Sequence, residues 1–92
     1  MNVTDAQLQS AVGMLRAFGA RRIVLFGSLL DRPDRARDVD LAVEGIPLNR
    51  LLDADVAVSE IFEGLMDLVS REENPVLYGI ARDYGRVLYE ER

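Results

Sequence analysis

FGSLLDRPDRARDVDLAV, Phe26 to Val43, joins a Gly-Ser turn at the end of one predicted strand to an Asp-X-Asp pair on the next. Side chains alternate between the two faces of a strand. Asp38 and Asp40 therefore share one face, roughly 7 Å apart, while Val39, Leu41 and Val43 share the other. The pattern predicts a strand 38–43 with one apolar face and two carboxylates aimed into a single volume. Asp is depleted in strands, and facing carboxylates raise each other's proton affinity, so the pair is costly unless a cation lies between them. Magnesium suits such a place. It is a hard ion that takes oxygen ligands, keeps several waters, and is typically held by one or two carboxylates plus substrate phosphates.

A third carboxylate follows downstream. Asp67 interrupts Leu65, Met66, Leu68 and Val69, a run that otherwise reads as a strand buried on both faces. If that strand lies beside the Asp38/Asp40 strand, the three carboxylates converge. Asp67 can then bind a second metal or accept the proton of an attacking hydroxyl. Gly27 and Ser28 come directly after Arg22-Ile23-Val24-Leu25-Phe26, the clearest strand in the chain. A glycine there permits positive φ and lets backbone N–H groups approach a phosphate, and the serine hydroxyl supplies another donor. Alone, a Gly-Ser dipeptide is an ordinary turn; the downstream Asp pair raises it to a candidate triphosphate contact.

Gly27-Ser28, Asp38-Val39-Asp40 and Asp67 within Met66-Asp67-Leu68-Val69 together resemble the minimal nucleotidyltransferase (MNT) branch of the DNA polymerase β-like superfamily. The closing Gly85-Arg86-Val87-Leu88-Tyr89-Glu90 is similar to the end of those small proteins, so the likeness spans nearly the whole chain. The resemblance implies an α/β fold, a small mixed sheet with helices packed on it. It implies that Gly27 and Ser28 contact the triphosphate of ATP, that Asp38 and Asp40 bind two magnesium ions, and that Asp67 completes the metal site and can act as base. It also implies a partner, since stand-alone MNT proteins resemble antitoxins that adenylylate a tyrosine of a HEPN-domain ribonuclease toxin. The chain departs from the family pattern in one place. The segment Leu29 to Arg37 is one residue short and has no glycine, and Arg37 stands where a serine usually precedes the first Asp. That departure favours an alternative, an MNT-like antitoxin that neutralises its toxin by complex formation alone. The three retained Asp residues oppose it, because a scaffold has no use for costly converging carboxylates. Transfer to a small molecule such as an aminoglycoside is disfavoured by the lack of a second domain to form its pocket.

Composition narrows the chemistry. With 92 residues the chain reads as one domain, 1–92, able to bury somewhat over about 60% of its unfolded surface. There is no Cys and no His, which removes disulfides, Cys/His zinc sites and every Ser-His-Asp or Cys-His mechanism. No apolar run approaches the roughly 18 residues of a membrane span, and the start lacks a signal-peptide pattern, so a cytoplasmic location is expected. A formal charge of -5 argues against a surface that grips nucleic acid backbones. All 11 basic residues are Arg. Arg32, Arg35 and Arg37 fall between the Gly-Ser turn and the Asp pair, where their forks suit phosphate. The better reading is a solvated loop in which they pair with Asp31 and Asp34.

Helical spacing completes the outline. Thr4 and Gln7 form a capping box before a first helix with Leu8, Ala11, Val12, Leu15 and Phe18 inward, and Gly19 ends it. A short helical turn is expected after Ser28, with Pro33 breaking the chain. A second long helix over about 48–62 carries Leu48, Leu51, Ala54, Val58 and Ile61 on one face. A last helix from Asn74-Pro75 carries Leu77, Ile80, Ala81 and Tyr84 at i, i+3, i+4, i+7. Both stripes are expected to be core.

Overall fold

The protein was studied as a computed structural model that describes residues 2–91. The elements follow the expected alternation: α1 (Asp5–Ala17), β1 (Arg22–Phe26), α2 (Ser28–Asp31), β2 (Val39–Glu44), α3 (Leu48–Ile61), β3 (Met66–Ser70), α4 (Pro75–Tyr84) and β4 (Arg86–Glu90). Local signals explain the starts and stops. The Gln7 backbone N–H donates to the Thr4 hydroxyl at 3.1 Å and the Thr4 N–H donates to the Gln7 side chain at 2.9 Å, so both arms of the capping box form. At α4, the Leu77 N–H donates to the Asn74 side chain and Pro75 takes the first turn, where its missing N–H costs nothing.

The four strands form one mixed sheet in the order β3-β2-β1-β4. β1 pairs antiparallel with both β2 and β4, and β2 pairs parallel with β3. Period-two alternation then sorts the core into two layers. Ile23, Leu25, Val39, Leu41 and Val43 pack with Ala11 and Leu15 of α1 and with Ala54 and Val58 of α3. On the opposite face Val24 and Ala42 pack with Tyr78 and Ala81 of α4. The Tyr78 hydroxyl donates to Glu44 at 3.0 Å, tying α4 to the sheet at the end away from the Gly27 turn.

Three expectations need correction. β3 is an edge strand, paired on one side only, so Leu68 and Val69 are half-buried and Asp67 is exposed. Edge position, rather than a buried counter-charge, is what makes that Asp tolerable in an apolar run. In α3, Ala54 and Val58 are buried with Leu51 and Ile61 beside them, but Leu48 is exposed. In α4 the buried residues are Tyr78 and Ala81, whereas Leu77 and Ile80 are exposed and Tyr84 is 81% exposed. The apolar arc of this helix is wider than the sheet face beneath it. Its Tyr78–Ala81 side was chosen by packing on Val24 and Ala42, together with the bond to Glu44.

Candidate active site

Strand direction gathers the predicted residues at one end of the sheet. β1 finishes there, and β2 and β3 begin there. Phe26 pairs with Asp40 and Asp40 pairs with Asp67, so a phenyl ring, a carboxylate and a second carboxylate lie side by side on adjacent strands. Residues directly opposite in register point to the same face, so Asp40 and Asp67 share one face. That face is the one bearing Val24, Ala42 and α4, because Asp40 lies two residues before Ala42. Asp38 stands one residue before β2, not within it as expected. The Val39 N–H donates to the Leu65 carbonyl at 2.9 Å, which opens the parallel pairing and sets Asp38 next to the start of β3.

Gly27 completes the end of the sheet. Its φ of 76° is favourable only for glycine, and a Cβ built on it would collide with the Asp40 carboxylate, lying 3.0 Å from the carboxylate carbon. The turn and the carboxylate are thus in direct apposition, an arrangement that sequence spacing alone leaves open. Ser28 follows, exposed, at the start of α2.

Electrostatics mark Asp40 as the centre of the group. Its carboxyl is pushed above the ordinary value of 3.8, first by burial and then by the charges of Asp67 and Asp38. Phe26, which sequence reasoning did not assign to the site, stands as the apolar neighbour on one side of Asp40. Only strand register reveals it, and register is not visible in a single strand's pattern. Arg32, Arg35 and Arg37 are exposed as expected, yet among the described residues they form no ion pair with Asp31 or Asp34.

The donor set fits a hard cation of the magnesium type. All three candidates are oxygen ligands, and the half-buried Asp40 carries an uncompensated charge next to two others. Among the described residues no three acidic groups close into a ready-made cage.

The raised Asp40 pKa has a consequence for stability. The folded state retains a proton at Asp40 over a window where the unfolded chain has lost it, so stability falls as pH rises from the ordinary value of 3.8 through the raised one. Asp40→Asn removes that penalty. In EDTA the variant is expected to melt a few degrees above the wild type at pH 7.5, with the gap shrinking towards pH 4.5. Equal melting temperatures at pH 7.5, or the same gap at both pH values, would contradict the electrostatic account.

The sequence matches no protein-family model and no curated protein. The fold, however, matches solved structures along nearly the whole chain. One is a toxin-antitoxin complex with AMP-PNP, at 16% identity and a TM-score of 0.74, covering 98% of this chain and 76% of that one. Another is a tri-AMPylated HEPN toxin from Shewanella oneidensis in complex with an MNT antitoxin, at 20% identity and a TM-score of 0.69, covering 92% and 71%. The likeness establishes the fold, a small mixed α/β sheet shared with chains of toxin-antitoxin complexes. Among the described residues no helix is long and apolar enough to cross a membrane.

Proposed function

We propose that this protein is a magnesium-dependent nucleotidyltransferase that moves AMP from ATP to a tyrosine hydroxyl of a HEPN-type toxin and so acts as its antitoxin. The observation that carries the reading is the apposition of the Gly27 turn to Asp40, with Asp67 across the strand pair. A phosphate chain lying over Gly27 and Ser28 would thereby reach the carboxylates directly. Asp38, Asp40 and Asp67 would hold the magnesium ions. Bound magnesium neutralises the triphosphate charge and polarises the phosphorus under attack. Gly27 and Ser28 would orient the triphosphate through backbone N–H groups and a hydroxyl. Asp67, exposed on an edge strand where the other two are half-buried, would meet an acceptor hydroxyl arriving from outside and take its proton, and its exposure supports that role. The fold shared with an AMP-PNP complex and with a tri-AMPylated toxin complex supports the nucleotide and the acceptor class.

Two observations favour a second reading, in which the protein neutralises its toxin by forming a complex with little catalysis. The carboxylates do not close into a cage, and exposed Arg37 rather than a serine precedes Asp38. Intact-mass measurement separates the two. The protein is mixed with its cognate HEPN-type toxin, ATP and magnesium. The catalytic reading expects a gain of about 329 Da, or a multiple, on the toxin, as when AMP replaces a hydroxyl proton with pyrophosphate leaving. An unmodified toxin held in a stable complex would overturn that reading in favour of the binder.

A further inference from the structure

The outward face of α3 carries a pattern that nothing in the nucleotide site uses. Leu48, Leu52 and Val56 recur at four-residue intervals and are 57%, 74% and 55% exposed. The same face continues through Ser59, Glu60 and Glu63, where a shallow groove of about 590 Å³ runs from Leu52 to Gly64. Its charged lining is Asp55, Glu60 and Glu63, with no basic residue. The basic residue of α3, Arg50, stacks over the Phe18 ring at 4.8 Å. The face is therefore polarised along its length, apolar in its first half and acidic in its second. Spacing at i, i+4, i+8, about 12 Å along the axis at about 1.5 Å per residue, keeps the three side chains on one side of the helix, where a partner helix can read them.

We infer that this face docks an amphipathic helix of a partner protein, its apolar stripe over Leu48, Leu52 and Val56 and its Lys or Arg residues over Asp55, Glu60 and Glu63. Charge decides among occupants. Two copies of α3 side by side and parallel would set carboxylates against carboxylates, and two antiparallel copies would set each acidic half against an apolar one. A basic helix satisfies both halves at once. α3 packs on the sheet face opposite Asp40, so a partner held there leaves the carboxylate site open.

The test uses two labelled helical peptides with the same Leu stripe, one flanked by Lys and one by Glu, and reads affinity by fluorescence anisotropy. The full chain is expected to bind the Lys peptide at least tenfold more tightly than the Glu peptide, as a groove whose charged lining is all carboxylate implies, with affinity falling as salt is raised. Leu52→Ser with Val56→Ser should weaken binding by about tenfold at unchanged circular dichroism, since both side chains are exposed. Glu60→Gln with Glu63→Gln should flatten the salt dependence. Equal affinity for the two peptides, or binding indifferent to the Leu52/Val56 substitutions, would overturn the proposal. So would a wild-type dimer in sedimentation that Leu52→Ser dissociates, because the occupant would then be a second copy. None of these readouts involves nucleotide transfer.

Discussion

Asp67→Asn is expected to fold like the wild type and to lose transfer to the toxin by about 10²–10⁴-fold, the range associated with removing a positioned general base. Folding is safe because Asp67 is exposed on edge strand β3 and its amide replacement keeps the shape. Loss of the charge should even relieve Asp40, whose carboxyl is raised in part by Asp67. Chemistry is not safe under the proposed function, since Asp67 is the cross-strand partner of Asp40 and is there assigned the proton of the incoming hydroxyl. Single-turnover assays by intact mass, with a melting curve as the folding control, check both halves. Wild-type rates in the Asp67→Asn protein would remove Asp67 from the reaction; a collapsed melting temperature would show that its role is structural.

Gly27→Ala is the second large effect, and it acts through geometry. Residue 27 has a φ of 76°, and the added methyl would collide with the Asp40 carboxylate. Either the turn opens or Asp40 rotates away, at a cost on the order of 1–3 kcal/mol. For a domain of this size each kcal/mol lowers Tm by about 4–8 °C. The stabilisation that the proposed function expects from magnesium with ATP, through binding only the folded state, should disappear with it. Gly13→Ala provides the contrast. A Cβ there meets nothing within 4 Å, and residue 13 lies inside α1, so alanine should raise stability by about 0.5–1 kcal/mol. If Gly27→Ala retained both Tm and the metal-nucleotide shift, the apposition of turn and carboxylate would have no functional weight.

Much of the architecture was legible before any coordinates. The Thr4/Gln7 capping box, the punctuation at Gly19, Pro33 and Asn74-Pro75, and the strand 22–26 all depend on chemistry within a few residues, which a sequence displays directly. The same holds for Val39, Leu41 and Val43 lying on the face opposite Asp40, because alternation is a property of any single strand. Which strands are neighbours is not such a property. The sequence alone named Asp38, Asp40 and Asp67 but left their convergence conditional on β3 lying beside β2. The parallel register that sets Asp67 against Asp40, and the turn that sets Gly27 against the same carboxylate, are long-range pairings settled by the packing of the whole sheet. Phe26 entered the site by the same route.

Where periodicity misled, the cause was an apolar arc wider than the surface available to bury it. On α4, Leu77, Ile80, Ala81 and Tyr84 made a regular stripe, but the narrow strip of Val24 and Ala42 admits only Tyr78 and Ala81, and the Tyr78 hydroxyl secures that rotation on Glu44. Leu48 of α3 was lost to solvent in the same way. For Asp67, an apolar run reads identically whether its strand has one neighbour or two, and only the strand order β3-β2-β1-β4 makes it an exposed edge. The residue types and local spacings thus determined the elements and the candidate chemistry, because those interactions act over a few residues. Tertiary structure decided which carboxylates meet, which helix faces remain exposed and which strand is the edge, because burial and pairing are shared among segments far apart in the chain.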